Sequence, residues 1–458
     1  MKTNTIVAIA TALSNAGISI VRISGSKALS IIDEIYRSKN NCKKISSEQS
    51  HTVHYGYIYD QEQMIDEVMV IVMKGPNSYT REDVVEIDCH GGVIVTKKIL
   101  ETVVKYGARV AEPGEFTKRA FLNGRIDLSQ AEAVIDIIQA KNDYALKSSI
   151  KQLKGSILEK IKDVRSSIIR SIAFIEAALD DPEHISMLNF SEELSEGVEK
   201  NILVLEKLLS SCDAGRLLKE GIQTVILGKP NAGKSSLLNI LVGEERAIVT
   251  DIAGTTRDTL EETINLQGII LNIIDTAGIR ETEDQIEKIG VNRAREFAEN
   301  SDLIIYVIDG SKQLDENDDG IIELIQDKKA IVLINKSDLE SKIDIAEIQA
   351  KTGKEVIEIS AKQKLGIDSL EDCVKKMFFE GDISFNDEVY ITNIRHKTAL
   401  VDSIESLKQV DQSIKDQMPE DFYSIDLMNA YSVLGEIIGE SVGEDLVNTI
   451  FSEFCMGK

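Results

Sequence analysis

The hydrophobic pattern of this 458-residue chain changes character three times. Up to about residue 120, short β-branched apolar runs alternate with helical spacing. Ile18 to Ile23, Thr52 to Ile58, Val68 to Met73 and Val84 to Asp88 read as strands, and Lys27 to Tyr36 and Val93 to Tyr106 as helices. Gly75-Pro76-Asn77-Ser78 supplies turn chemistry between them. Arg22 and Glu86 each interrupt an otherwise apolar strand. A buried charge needs a partner, so each marks a structural ion pair or a ligand site, and the residues alone favour the pair. His90-Gly91-Gly92 stands before a helix and offers an anion its backbone N–H groups.

From 127 to 179 the spacing is helical. Ser129 and Glu132 have capping-box spacing. Apolar residues follow at Leu146, Ile150, Leu153, Ile157, Ile161, Val164, Ile168, Ile172 and Ile175. A repeat of about 3.67 residues per turn barely departs from a straight helix, so this stripe stays on one face. The other face carries Lys141, Lys147, Lys151, Lys154, Lys160 and Lys162. It reads first as a solvated face and second as the best local place for RNA. Asp180-Asp181-Pro182-Glu183 ends the stretch, and a second helical run covers roughly 191 to 219. Residues 221 to about 380 alternate strand and helix, which implies a doubly wound, mainly parallel sheet with helices on both faces. Residues 393 to 458 return to helical spacing.

Helical segments thus flank an α/β unit that is complete in itself, so that unit is inserted into a discontinuous helical domain. The expected fold is multidomain α+β and α/β. A mixed α/β domain covers 1–120, helical parts cover 121–220 and 381–458, and a P-loop GTPase domain covers 221–380.

The inserted unit carries the clearest chemistry. Gly228-Lys229-Pro230-Asn231-Ala232-Gly233-Lys234-Ser235 fits the phosphate-loop pattern G-x-x-x-x-G-K-[ST], between the strand Ile222 to Leu227 and a helix starting near Ser236. Backbone N–H groups of such a turn cradle phosphates; Lys234 reaches the β/γ-phosphates and the Ser235 hydroxyl binds Mg²⁺. Asp275-Thr276-Ala277-Gly278 follows the run Ile269 to Ile274, where an Asp holds Mg²⁺ and a Gly N–H senses the γ-phosphate. Asn335-Lys336-Ser337-Asp338 follows Ile331 to Ile334. A carboxylate there accepts two hydrogen bonds from guanine, which adenine cannot supply. Ser360-Ala361-Lys362, after Val356 to Ile359, closes over the base. Four elements in this order specify GTP and disfavour an ATPase.

Hydrolysis needs more. Ile279 occupies the place where many GTPases keep a water-orienting Gln, so a polar group must come from elsewhere, and the loop Arg280 to Glu287 is rich in carboxylates. Positive charge at the transition state can come from Arg257 or from a cation. Asn231 and the segment Thr250-Asp251-Ile252-Ala253-Gly254-Thr255-Thr256 offer hard oxygens that suit K⁺, and Thr256 completes the Mg²⁺ shell.

Composition narrows the setting. Hydrophobic residues make up 43% and charged residues 28%, as in ordinary globular proteins. No apolar run of about 18 residues reads as a membrane span, and no signal peptide or lipidation motif stands out. Five scattered cysteines, Cys42, Cys89, Cys212, Cys373 and Cys455, argue against a disulfide framework and fit a reducing cytoplasm. A net charge of −25 opposes bulk attraction to nucleic acid, so any RNA must dock on a local basic patch.

The motifs VRISG at 21–25, GPNSYT at 75–80, HGG at 90–92, PGEFTKRAFLNGR at 113–125, TDIAGTTRD at 250–258 and the terminal FCMGK, with the GTPase set, resemble the MnmE (TrmE) family of tRNA-modification GTPases over essentially the whole chain. Many members carry a Pro/Gly/Arg-rich loop where this chain has Ala12 to Gly17. The resemblance implies a homodimer formed through the N-terminal domain, with nucleotide domains pairing across K⁺. It implies Asn231, Thr250, Ile252 and Thr255 as K⁺ ligands, Ser235 and Thr256 as Mg²⁺ ligands, and Glu287 as general base or water orienter. It implies a 5-formyltetrahydrofolate-type one-carbon donor at Arg22, Glu86, Arg125 and Lys458, which reverses the structural preference for Arg22 and Glu86. Cys455 becomes a participant in the modification. The partner it implies is the FAD-dependent MnmG (GidA), the substrate the wobble uridine of certain tRNAs, and the product an aminomethyl or carboxymethylaminomethyl uridine. The rival readings are a ribosome-assembly or signalling GTPase switch and a purely structural GTPase fold. Neither accounts for the Cys-x-Gly-Lys tail.

Overall fold

The computed structural model describes residues 5–39, 44–181, 183–184, 190–243, 262–266, 268–274, 297–379, 390–440, 442–452, 454 and 457. The chain divides into two compact units: residues 1–135, 152–195 and 409–458 in one, and 136–151 and 196–408 in the other.

The first unit holds a seven-stranded sheet in the order β3-β4-β5-β6-β2-β1-β7. Its strands are β1 (Ile6–Ile9), β2 (Ile18–Ser24), β3 (Tyr36–Ser38), β4 (Thr52–Asp60), β5 (Gln63–Met73), β6 (Val84–His90) and β7 (Arg109–Val110). All pairs are antiparallel except β1–β7. The period-two alternation sends Val21, Ile23, Val70, Val85 and Ile87 to one face, where they pack on Ile31, Ile32, Ile99 and Val103 of the helices Ala28–Ile35 and Val93–Lys105. By the same alternation Arg22 and Glu86 lie on the other face, directly opposite each other across β2 and β6.

Helices complete this unit, and two of them come from opposite sides of the α/β segment. Ser156–Asp180 buries Ile157, Ile161, Val164, Ile168, Ile172 and Ile175 and packs on Glu420–Ile438, which buries Leu427, Ala430, Leu434 and Ile437. Each of these Ile, Val and Leu side chains contributes about 1.5–3 kcal/mol by leaving water. Segments more than two hundred residues apart in the chain therefore build one helical core, and the helical domain is discontinuous.

Two expectations change here. The helical stretch after residue 127 is three helices, Leu128–Gln139, Asp143–Leu153 and Ser156–Asp180. Gly155, at φ +92°, makes the second of the two breaks in the left-handed conformation. The apolar repeat holds for the third helix and fails before it, where Ile150 is exposed. The row of lysines is accordingly divided between separate elements and is not one helical face. The cap also lies earlier than the capping-box spacing suggested. Asp127 Oδ1 accepts from the Gln130 N–H, and Gln130 Oε1 accepts from the Asp127 N–H, both at 3.0 Å. The fully buried Ser129 instead donates to Asp127 at 2.6 Å.

The second unit holds a six-stranded sheet in the order β13-β12-β11-β8-β10-β9. Its strands are β8 (Ile222–Leu227), β9 (Glu262–Leu266), β10 (Ile269–Ile273), β11 (Leu303–Asp309), β12 (Ala330–Asn335) and β13 (Glu355–Glu358). Every pair is parallel except β9–β10. All seven residues of β11 are buried, because helices cover both faces. Leu237, Leu238, Leu370 and Val374 of the helices Lys234–Val242 and Ile367–Phe379 pack on one face. Ile322, Ile325 and Ile348 of the helices Glu316–Ile325 and Ile345–Thr352 pack on the other. β8 has β10 on one side and β11 on the other, so strand addition reverses there. Ligands bind beyond the carboxyl ends of the strands at such a switch point, and the phosphate loop leaves β8 at that end.

Candidate functional site

The nucleotide loops are tied to one another by backbone geometry that the sequence sets locally. Gly228 (φ +149°) runs so close to β11 that a Cβ there would stand 2.3 Å from the Val307 carbonyl oxygen. Asn231 is left-handed at φ 63° and exposed. Gly233, at φ +104°, begins the helix that carries Lys234, Ser235 and Ser236. A Cβ on Gly233 would lie 1.9 Å from Asn335 Nδ2. That amide is the joint of the site. Asn335 Nδ2 donates to the Ala232 carbonyl at 2.8 Å, and its Oδ1 accepts from the Ala361 N–H at 3.0 Å. One side chain thus fastens the phosphate loop, the Asn-Lys-Ser-Asp loop and the Ser-Ala-Lys loop.

Lys234 Nζ donates to the carbonyls of Gly228 (2.7 Å) and Lys229 (2.9 Å). Burial pushes its ammonium below the usual range. An arriving phosphate restores a full counter-charge, so this lysine favours an anionic ligand strongly. At the base end, the Ser360 hydroxyl donates to Asp338 Oδ1 at 2.7 Å and holds that carboxyl below the usual range. Asp338 is therefore an acceptor-only group at neutral pH, as a guanine edge requires. Lys336 (φ 69°) places Nζ 2.6 Å from Asp309 Oδ2. Burial opposes the charge on Asp309, but the Lys336 ammonium and the Ser311 hydroxyl and N–H hold its carboxyl below the usual range. Asp309 belongs to no nucleotide motif; a carboxylate closing an apolar strand was the available signal. Lys362 is exposed beside this loop.

Thr250, Asp251, Ile252, Ala253, Gly254, Thr255, Thr256, Arg257, Asp275, Thr276, Ala277, Gly278, Ile279 and Glu287 lie outside the described residues. β10 pairs with β8 up to Ile273↔Thr224, and Asp275 follows two residues later in sequence.

The first unit has a separate constellation. Arg22 Nε lies 2.6 Å from Glu86 Oε1, and Arg22 Nη1 donates to the Gly457 carbonyl at 3.1 Å. The Arg22 guanidinium stands 5.8 Å from the Tyr79 ring centre and 5.7 Å from that of Phe116. The Arg125 guanidinium stands 4.6 Å from the Tyr79 ring. Gly457 is left-handed at φ +92°, and a Cβ there would meet the Ile9 carbonyl oxygen at 2.5 Å. Only glycine lets the tail lie this close to the end of β1. Upstream, the Phe454 and Phe451 rings pack 5.2 Å apart in a cluster with Leu128 and Ala131. Of the expected residues, Arg22 and Arg125 meet at the Tyr79 ring, and Glu86 joins them through Arg22. Cys455, two residues before Gly457, and Lys458, directly after it, lie outside the described residues. Tyr79 and Phe116 were missed as site residues, although both sit inside the quoted motifs GPNSYT and PGEFTKRAFLNGR.

A buried ion network backs this cluster. Arg119 bridges Glu82 and Glu115, each at 2.9 Å, and Ser24 donates to Glu82 at 2.8 Å. Within His90-Gly91-Gly92, the first N–H is already taken by a carboxylate. Asp66 accepts from the His90 N–H at 2.8 Å and pairs with its imidazole at 2.7 Å, which raises the pKa of that ring.

Relatives of the same length decide the family. The tRNA modification GTPase MnmE of Lachnoclostridium phytofermentans is 65% identical over 458 residues, covering 100% of both chains. The chain belongs to the MnmE family. MnmE proteins of Alkaliphilus oremlandii and Alkaliphilus metalliredigens are 48% and 50% identical over 462 residues, with 99% of each chain covered. The family models described as "MnmE helical domain" and "GTP-binding protein TrmE N-terminus" match residues 128–455 and 5–125. As a member of the MnmE family, with a complete set of guanine-nucleotide loops in its sequence, the chain is a GTP hydrolase. Among the described residues, no helix is long and apolar enough to cross a membrane.

Proposed function

We propose that this chain couples GTP hydrolysis to modification of the tRNA wobble uridine in the cytoplasm. A flavin-dependent partner of the MnmG (GidA) kind carries FAD, and together they install an aminomethyl or carboxymethylaminomethyl group. Residues 1–120 serve dimerisation and the one-carbon donor, 221–380 hydrolyse GTP, and 121–220 with 381–458 connect the two activities.

The observation that carries this reading is the Gly457 carbonyl on Arg22, beside Glu86, Arg125, Tyr79 and Phe116. A nucleotide switch alone has no use for a C-terminal glycine threaded against the first strand. Guanidinium groups among ring faces suit a molecule with an aromatic ring system and carboxylates. A 5-formyltetrahydrofolate-type donor has both, and Arg22, Glu86, Arg125 and Lys458 would hold it. The donor supplies the carbon, and Cys455 stands two residues before Gly457 in sequence.

In the nucleotide unit, the N–H groups from Asn231 to Ser236 cradle phosphates, and Lys234 neutralises β/γ charge. Asn335, Asp338 and Ala361 read guanine. The hydroxyls of Ser235 and Thr256, with Asp275, are the hard-oxygen set that Mg²⁺ takes. Asn231, Thr250, Ile252 and Thr255 are the corresponding oxygen set for K⁺, and Glu287 orients the attacking water.

Removal of residues 455–458 separates the two activities. Purified truncated protein is expected to hydrolyse GTP at the full-length rate. In a complementation assay it leaves the wobble uridine unmodified. Full modification by the truncated protein would remove the tail from the chemistry.

A further inference from the structure

The pattern G-x-x-x-x-G-K-S leaves the residue after its first glycine unspecified, and Lys229 fills that place. Its Nζ lies 2.9 Å from Asp315 Oδ2 and 2.6 Å from Asp318 Oδ2. The Asp318 side chain is 1% exposed. It also accepts from the Tyr306 hydroxyl at 2.7 Å and from the Asp315 N–H at 2.9 Å. Tyr306 is fully buried within β11. With three donors and no room to turn, the Asp318 carboxylate is a fixed point. It sits in the first turn of the helix Glu316–Ile325, where Asp315 and Asp318 form a reciprocal cap.

The other end of Lys229 is equally engaged. Its carbonyl accepts from Lys234 Nζ at 2.9 Å and from the Ala232 N–H at 3.2 Å. The loop is thus held at its root by the close approach of Gly228 to β11, and at its second residue by a lysine anchored through Asp318 to Tyr306 of the same strand. Burial opposes the charge on Lys229, but Asp315 and Asp318 hold its ammonium above the usual range. Two carboxylates already match that charge, so it has little left to offer a phosphate.

We propose that Lys229 and Asp318 are a positioning pair that holds the phosphate loop in its nucleotide-binding shape before nucleotide arrives, with Tyr306 fixing the Asp318 carboxylate. Neither residue touches the nucleotide. The pair acts by pre-organisation: the backbone N–H groups that cradle phosphate converge only while Lys229 is tethered. The inference rests on guanine-nucleotide binding at this loop.

Equilibrium binding of a fluorescent GDP analogue and steady-state GTP hydrolysis test it on the full chain. The variants are Lys229→Gln, Lys229→Arg, Asp318→Asn and the Lys229→Gln/Asp318→Asn double. A loop competent a tenth of the time raises Kd and KM about tenfold in Lys229→Gln, with the loss in KM rather than kcat. Lys229→Arg keeps the charge-assisted bonds and recovers most of the affinity. The double variant binds no more weakly than the weaker single variant. Parental affinity in Lys229→Gln, no recovery in Lys229→Arg, or losses that multiply in the double variant would each overturn the proposal. If Asp318→Asn does not fold by circular dichroism, Tyr306→Phe replaces it. That variant is expected to lose about threefold in affinity, near the low end of one hydrogen bond, and unchanged affinity counts against the pair. A parental protein that binds no GDP refutes the nucleotide reading itself, before any variant is compared.

Discussion

At the scale of single residues, the nucleotide site depends on atoms that cannot be displaced. Gly233 leaves 1.9 Å between a hypothetical Cβ and the Asn335 amide. Gly233→Ala must therefore move Asn335 and unfasten three loops together. The expected result is a loss of GDP affinity of about a hundredfold, the scale that follows a displacement of about 1 Å in a positioned site. Calorimetric titration reads this, and affinity close to the parent's would contradict the geometry. Asp309→Asn removes the counter-charge of Lys336, and a charge-assisted bond of this kind is worth about 1.5–3 kcal/mol. GTP KM is expected to rise about tenfold or more, and an unchanged KM would show that Lys336 positions itself. The sequence displays Gly233, Lys234, Asn335 and Asp338 because their chemistry is contiguous within short motifs. It hides Asp309 because that carboxylate acts through a lysine 27 residues away. Tyr79 and Phe116 are hidden for the same reason: their ring faces matter only once Arg22 and Arg125 fold over them.

At the scale of elements, two charged contacts hold helices in place. Arg165 is buried in the helix Ser156–Asp180. It donates from Nε to the Tyr431 carbonyl at 3.1 Å, stands 4.0 Å from the Tyr431 ring centre and pairs with Glu440. Arg165→Met keeps the apolar stem and loses these contacts, so urea unfolding is expected to report a loss of about 2 kcal/mol. A midpoint equal to the parent's would show that the helices hold together by packing alone. The Glu115 network adds a pH dependence. Burial raises the Glu115 pKa, but Arg109 and Arg119 outweigh it and hold the carboxyl below its usual 4.5. A carboxyl lowered in the folded state contributes stability that is fully present above its unfolded value and disappears as pH falls through its folded value. Glu115→Gln is thus expected to cost about 3 kcal/mol at pH 7, as removal of one partner from a buried pair does. The deficit shrinks below pH 4.5 as the parent's own carboxyl protonates. A deficit that stays constant into acid would contradict the assignment.

The long elements are legible in the sequence, and their ends are less so. β8 and the third helix of the 127–179 stretch follow directly from their apolar spacing. The second break was not legible because helical spacing tolerates a Gly, and only the left-handed turn at Gly155 ends the helix there; the first falls at Asn142, whose Oδ1 accepts from the Ala145 N–H at 2.7 Å. The short strands β1, β3 and β7 carry too few residues to show a period, and the sheet order alone identifies them. The cap at Asp127 was hidden by Ser129 and Glu132, whose spacing imitates one.

At the scale of the whole molecule, the phosphate loop lies in one compact unit and the Arg22 cluster in the other. The discontinuous helical core is legible because helical spacing appears on both sides of an α/β unit. The approach of Gly457 to Arg22 is not, since no local pattern says where the six residues after the last helix, Glu444–Ser452, go. That approach is why the chain is read as more than a nucleotide switch. The most direct test is mass spectrometry of tRNA nucleosides from cells with the gene, without it, and with it restored. The account predicts that aminomethyl- or carboxymethylaminomethyl-type wobble uridines vanish on deletion and return on restoration. They should not return when the restored copy lacks residues 455–458. An unchanged nucleoside profile in the deletion would leave the GTP hydrolase in place and contradict its coupling to tRNA modification.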